Sequence, residues 1–107
     1  MRACIDESKT KAAVRELCRL RGVHIKTASA ILTAWNPDAF GIYDFKVHVV
    51  LGLPGESENA TVDTYIGFLA ALKNLASDLG LNCSLRQVER AAWHYYPIQE
   101  RGSVTFD

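Results

Sequence analysis

The sequence predicts a single all-α domain over residues 1–107. Its length of 107 residues is enough for one compact domain with a hydrophobic core and too short for two. Apolar residues recur at helical spacing in several segments, and no alternating apolar and polar pattern indicates a strand. Hydrophobic residues make up 49% of the chain and charged residues 22%, a balance that excludes a disordered protein. We expect two closely connected helices and about three further helices, packed as one compact bundle.

Two helices joined by a very short connection are predicted in the first half of the chain. Between Lys9 and Arg21, the apolar residues that share one helix face are Ala13, Val14, Leu17, Cys18 and Leu20. Gly22 then ends this helix. The apolar stripe of the second helix is Ala28, Ile31, Leu32 and Trp35. Because only residues 22–26 lie between the two stripes, the helices form a helix–hairpin–helix unit.

A short third helix completes a hairpin core over residues 9–51. Pro37 ends the second helix, because the residue before a proline disfavours helical geometry. After an irregular crossing, Asp44 is well placed as the N-cap of a helix from Phe45 to Leu51. Val47, Val50 and Leu51 are expected on the buried side of that helix.

A C-terminal helical pair is predicted over residues 61–96, after a loop at residues 52–59. The apolar stripe of its first helix is Leu69, Leu72, Ala76 and Leu79. Ser84 and Gln87 fit a capping box at the start of the last helix, in which Tyr95 is expected to face inward. Pro97 should prevent this helix from continuing, so residues 97–107 are expected to form a tail.

Charge and cysteine usage exclude several classes of protein. Lys plus Arg number 12 and Asp plus Glu number 12, which excludes a strongly basic protein that coats nucleic acid by charge alone. Residues 1–48 hold eight basic residues against five acids, a balance of +3, so a polyanionic partner should meet this half. The three cysteines form no C-x-x-C pair, and neither a metal nor another cofactor is expected.

No apolar run reaches the ~20 residues of a membrane span. Charged residues also interrupt the N-terminus where a signal peptide would be apolar. We therefore expect a cytoplasmic protein without a membrane partner.

The connection between the first two helices is a candidate binding site for a nucleic-acid backbone. A glycine turn leaves amide groups pointing outward at the start of the next helix, where the helix dipole also favours an anion. The residues expected to bind the DNA backbone are Gly22, Val23, His24, Lys26 and Thr27. Such contacts carry no base sequence information. The alternative is a plain helical hairpin whose first helix ends at a glycine.

The segments GVHIKTASAIL and IYDFKVH resemble the core of the helix–hairpin–helix DNA glycosylases, the endonuclease III and 8-oxoguanine glycosylase superfamily. That family carries a G-V-G-x-K-T-A hairpin followed by a V-D-x-x-V segment. The matching residues here are Gly22, Val23, Lys26, Thr27, Ala28, Asp44 and Val47. The separation of Lys26 and Asp44, 18 residues, is also similar to that in the family. The resemblance covers residues 14–50 and indicates a shortened or partial relative.

The resemblance implies a base-excision DNA glycosylase and AP lyase acting in DNA repair, with damaged or abasic double-stranded DNA as its partner. Lys26 would be the catalytic amine that attacks the sugar and forms a Schiff base. Asp44 would activate that amine and stabilise positive charge on the sugar. The target base would be flipped out of the duplex. Alternatively, Lys26 is a phosphate-contacting or solvated lysine, and Asp44 only caps a helix.

The chain departs from the family pattern at two points. His24 replaces the second hairpin glycine; it would either contact a phosphate or prevent DNA binding. Helices that precede the hairpin in the family have no counterpart here. The chain would therefore be a fragment, a degenerate relative or one half of an assembly with itself or a partner subunit. The alternative functions are a non-catalytic DNA- or protein-binding helical module and a purely structural subunit.

Three further groups are weaker candidates. The aromatic cluster Trp93, His94, Tyr95 and Tyr96 would either stack on a base or form part of the core. Arg86 and Arg90, spaced i and i+4, would contact phosphates or lie on a solvated surface. His48, one turn after Asp44, is a candidate second group of the catalytic site.

Overall fold

The computed structural model describes residues 7–54 and 60–105, with the backbone alone for residues 96–105. Within these ranges the chain forms helices and no strand. The helices are α1 (Glu7–Cys18), α2 (Ile25–Trp35), α3 (Phe45–Val50), α4 (Val62–Asp78) and α5 (Leu85–Thr105). This confirms the all-α prediction. Residues 55–59 of the predicted loop lie outside the described part of the chain.

The helices pack around one core. Helix α4 lies against α1, α2 and α5, while α3 packs on α5 and α1 on α2. The largest fully buried side chains are Tyr65, Phe40, Phe68 and Leu72. Leu79 and Tyr95 are 62% and 51% exposed, so the expectation that they face inward is wrong. Leu79 is the C-cap of α4 and so lies where the stripe ends, whereas Tyr95 lies in the middle of α5.

Helix α1 ends one turn earlier than its apolar pattern predicts. The amides of Arg19 and Leu20 donate to carbonyls three residues back, those of Glu16 and Leu17, at 3.2 and 3.1 Å. This tightening turns Leu20 out of the helix, where it is 57% exposed. Gly22 then adopts a φ of +81°, a left-handed conformation that favours glycine.

The buried face of α2 differs from the predicted stripe. Its buried residues are Ile25, Ala28, Ser29, Leu32 and Thr33. Ile31 and Trp35 are 43% and 71% exposed, so the prediction that they share this face is wrong. Ser29 and Thr33 are buried instead because their hydroxyls donate to the carbonyls of Lys26 and Ser29, both at 2.7 Å. A hydroxyl satisfied within its own helix can be buried at low cost.

The segment that connects α2 to α3, called the crossing here, passes through the core. Phe40 and Tyr43 are buried, and Gly41 lies between α4 and α5. A Cβ at Gly41 would stand 2.9 Å from Leu72 Cδ1 and 3.1 Å from Glu89 Cβ. A side chain at this position would therefore force Leu72 and Glu89 to shift.

Two predicted caps are confirmed. Asp44 precedes α3 with an extended backbone, and its side chain accepts a hydrogen bond from the amide of Lys46 at 2.8 Å. Ser84 and Gln87 form the reciprocal bonds of a capping box at α5, at 3.0 and 3.1 Å.

The prediction that Pro97 ends the last helix and begins a tail is wrong, because α5 continues to Thr105. A proline fixes φ near the helical value, so the residue itself fits a helix. Its penalty is one lost hydrogen bond and a clash with the preceding turn, about 3 kcal/mol. That penalty disfavours a helix without forbidding one.

Candidate nucleic-acid interface

Lys26 and Asp44 lie side by side, although they belong to different elements. Lys26 is in the first turn of α2 and Asp44 is the N-cap of α3. Their Nζ and Oδ1 atoms are 3.5 Å apart, and the side chains are 71% and 21% exposed. The two residues predicted as catalytic are thus brought together, with the ammonium in solvent and the carboxylate largely covered.

Ser29 positions this pair, and sequence reasoning missed it. Its buried hydroxyl donates to the Lys26 carbonyl at 2.7 Å and accepts from the amide of Tyr43 at 2.8 Å. Because Tyr43 directly precedes Asp44, one side chain ties the start of α2 to the start of α3. The signal in the sequence was a small hydroxyl residue one turn after Lys26, on the face that Ala28 and Leu32 share.

Asp44 uses its two oxygens differently. Oδ2 accepts the Lys46 amide and caps α3, while Oδ1 faces Lys26. Asp44 therefore caps α3 and contacts Lys26 at the same time. Capping also fixes the rotamer of the carboxylate, so its orientation does not depend on the ion pair.

The start of α2 presents backbone donors beside this pair. His24 is the N-cap, and its side chain makes no capping hydrogen bond. The first amide to bond back into the helix is that of Ala28, which donates to the His24 carbonyl at 2.9 Å. The amides of Ile25, Lys26 and Thr27 precede this bond, so the helix itself gives them no acceptor.

His24 meets no conformational obstacle at the position of the second family glycine. Its φ is −111° and its ψ is −174°, an extended geometry that any residue adopts. The side chain is exposed and lines the hairpin cleft, a recess of about 370 Å³ formed by His24, Ile25, Lys26, Tyr43, Asp44, Phe45 and Ala60. Val23 and Ile25 pack on the core.

His48 does not reach this surface. It is 3% exposed, and its Nδ1 lies 2.6 Å from the hydroxyl of buried Tyr43. Burial raises the pKa of Tyr43 above its ordinary value. His48 therefore supports the residues between α2 and α3 from inside and lines neither cleft, and its role as a second group of the catalytic site stays a prediction.

A second cleft shares Asp44 with the first. This α5 cleft has a volume of about 350 Å³ and is lined by Ile42, Asp44, Arg86, Glu89, Arg90, Trp93 and His94. Helix α5 is held here because its first amides, those of Leu85 and Arg86, donate to the carbonyls of Asp38 and Pro37. Arg86, Arg90, Trp93 and His94 thus share a cleft with Asp44.

Glu89 anchors α5 to the crossing and was also missed. It is 3% exposed, and its Oε1 accepts the amide of Ile42 at 2.9 Å and pairs with the Arg86 guanidinium. A buried carboxylate needs such partners. From the sequence alone, Glu89 would be assigned to the polar face of an amphipathic helix.

The aromatic cluster does not belong to the core. Trp93 and Tyr95 are 39% and 51% exposed, and His94 is exposed; the side chain of Tyr96 lies outside the described part. The Lys46 ammonium lies 4.7 Å from the centroid of the Trp93 ring, within cation–π range. Trp93 and His94 line the α5 cleft, whereas Tyr95 faces a separate apolar recess beside Leu79.

Among the residues that the structure describes around the two clefts, positive charge exceeds negative charge. The cations are Lys26, Lys46, Arg86 and Arg90, and the carboxylates are Asp44 and Glu89. Two of the four cations come from the second half of the chain, whose balance of charge is acidic. The fold therefore brings cations from both halves of the chain together around the two clefts.

Comparison of the chain with protein-family models, with curated proteins and with solved structures finds no match. Within the part of the chain that the structure describes, no helix is long and apolar enough to cross a membrane.

Proposed function

We propose that the chain binds DNA through a helix–hairpin–helix unit formed by α1, residues 19–24 and α2, and that it acts on the DNA sugar as a base-excision glycosylase and AP lyase. The observation that carries the proposal is the 3.5 Å approach of Lys26 Nζ and Asp44 Oδ1 beside the open start of α2. An amine, a carboxylate and backbone donors at one place are the groups that this chemistry needs.

The start of α2 would hold one phosphate of the strand. The amides of Ile25, Lys26 and Thr27 point out of the helix start, where the dipole favours negative charge. Exposed His24 lies at the same edge. Since these contacts read only the backbone, binding is expected to be independent of sequence and sensitive to salt.

Lys26 and Asp44 would carry the chemistry. The neutral Lys26 amine attacks C1′ of the deoxyribose, and the bond to the base breaks with its electron pair leaving on the base. Asp44 accepts the proton that the amine loses and stabilises positive charge on the sugar. Opening of the sugar ring gives a Schiff base, from which β-elimination expels the 3′ phosphate. In the free chain the ammonium is 71% exposed, so the bound strand must supply the desolvation that favours the neutral amine.

Borohydride trapping tests this function. On a duplex with an abasic site, the wild-type chain should give a covalent adduct, and Lys26→Gln should abolish it. Lys73→Gln, which removes an exposed lysine from α4, is the matched control and should leave the adduct unchanged. Asp44→Asn keeps an acceptor for the Lys46 amide but loses the charge, and should reduce the adduct about 100-fold or more.

A non-catalytic DNA-binding module is the second candidate, favoured by the high exposure of the Lys26 ammonium. It would give salt-sensitive duplex binding without an adduct. Absence of duplex binding at low salt would contradict both candidates and leave a structural subunit.

A further inference from the structure

Residues that the sequence separates from the hairpin converge on the α5 cleft. Asp44 lines this cleft and the hairpin cleft, so a strand held at the start of α2 passes directly to α5. We infer that the α5 cleft binds an unpaired nucleotide of a DNA strand, with its base stacked on Trp93 and its phosphate at Arg90. This inference rests on the proposed function in one respect, because that function places the DNA strand at the start of α2.

Trp93 does not belong to the core formed by the residues that the structure describes. Over residues 85–95, whose side chains are described, the buried face of α5 is formed by Leu85, Val88, Glu89 and Ala92, which recur at helical spacing. Trp93 lies beside this face and keeps 39% of its surface exposed. An accessible indole in a cleft rich in cations is a platform for a nucleic-acid base, and such stacking tolerates any base.

Arg90 supplies positive charge to the α5 cleft. Arg86 pairs with Glu89, whereas no carboxylate in the described ranges forms an ion pair with the neighbouring Arg90. Lys46 adds a cation over the Trp93 ring, 4.7 Å from its centroid. One wall of the cleft thus combines an aromatic surface with an available guanidinium, the pair of groups that holds a base and its phosphate.

The chemistry of the cleft selects an unpaired base. In an intact duplex, both faces of a base are covered by its neighbours, so none can stack on Trp93 without leaving the helix. Unstacking costs a few kcal/mol in a duplex and much less in a single strand. The chain should therefore prefer single-stranded DNA to a duplex of equal length.

Tryptophan fluorescence tests this inference. Trp35 is 71% exposed on α2, and Trp35→Phe leaves Trp93 as the sole indole, since the sequence has two tryptophans. Titration of this variant at low salt with a thymidine 12-mer should give saturable quenching. A 12-base-pair duplex should bind at least about tenfold more weakly. Free thymidine monophosphate should bind more weakly still, because it lacks the second contact at α2.

Two variants assign the contacts in an anisotropy assay with the labelled 12-mer. Trp93→Leu should weaken binding about tenfold or more, while Trp35→Phe leaves it unchanged. Arg90→Gln should reduce the slope of log affinity against log salt by about 0.7, and Lys73→Gln should leave the slope unchanged. Circular dichroism confirms that each variant is folded.

The outcomes separate this inference from the proposed function. Quenching by the 12-mer without a borohydride adduct would support the α5 site and contradict catalysis. An adduct with unchanged 12-mer affinity in Trp93→Leu would overturn the α5 site alone. Equal affinity for duplex and single strand would overturn it too, and equal affinity for thymidine monophosphate would make it a free-nucleotide site.

Discussion

The hydroxyl of Ser29 accepts a hydrogen bond from the amide of Tyr43 at 2.8 Å, in the interior of the protein. The same hydroxyl donates to the Lys26 carbonyl at 2.7 Å. The ion pair at the surface is therefore held by a polar link beneath it. Because Ser29 is fully buried, water cannot replace this link in the folded chain.

Ser29→Ala should lower the free energy of unfolding by about 1–3 kcal/mol, because it leaves the buried Tyr43 amide without an acceptor. It should also lower the rate of borohydride adduct formation more than the bound fraction, since Asp44 loses its fixed position. Urea unfolding and single-turnover trapping measure the two effects. Ser77→Ala, an exposed serine of α4, is the control, and equal stability of the two variants would refute the role of Ser29.

Gly41→Ala should lower the free energy of unfolding by about 1–3 kcal/mol, the usual range for overpacking. The new methyl group would meet Leu72 Cδ1 at 2.9 Å and Glu89 Cβ at 3.1 Å, and the second of these atoms cannot move without α5. Gly67→Ala is the control, because nothing lies within 4 Å of its Cβ position on α4. That variant should gain up to about 1 kcal/mol from helix propensity, so urea unfolding should show opposite signs.

Glu89→Ala should lower the free energy of unfolding by about 3 kcal/mol or more, because it leaves Arg86 and the Ile42 amide without their acceptor. The exposed pair Glu16–Arg19 offers a matched contrast, with side chains 71% and 76% exposed against 4% for Glu89. Glu16→Ala should change stability by less than about 1 kcal/mol. Similar losses in both variants, measured by urea unfolding, would contradict the anchoring role of Glu89.

The sequence predicts the helices of this chain better than the faces that they bury. Asp44, Ser84 and Gln87 could be identified because capping depends on residues a few positions apart. The buried face of α2 could not be predicted. Ser29 and Thr33 are polar, and only the structure shows the hydrogen bonds that allow their hydroxyls to be buried. The Lys26–Asp44 pair followed from a motif, whereas the approach of Trp93 to Asp44 depends on how α5 packs over the crossing. That packing depends on Gly41, which leaves space for α5, and on Glu89, which binds the amide of Ile42. Neither contact can be identified from residue spacing in the sequence.

Alkaline pH should destabilise the protein through its buried phenols. Burial raises the pKa of Tyr65 above its ordinary value, and the negative charge of nearby Glu89 adds to the effect. Burial likewise raises the pKa of Tyr43. A raised pKa means that the folded state holds the proton more tightly, so this stabilisation is complete below about pH 10. It is lost as pH rises from there toward the folded pKa.

The free energy of unfolding should therefore fall above about pH 10, by up to about 1.4 kcal/mol per pH unit for each buried tyrosine. Tyr65→Phe removes one of these contributions and the bond to the Gly41 carbonyl at 2.8 Å. The variant should be less stable at pH 8 by about 1 kcal/mol and should show a shallower decline above pH 10. Tyr95→Phe, at a half-exposed position, should match the wild-type slope. Urea unfolding between pH 8 and 11.5 measures these slopes, and a Tyr65→Phe slope equal to that of wild type would exclude Tyr65 as a source of the decline.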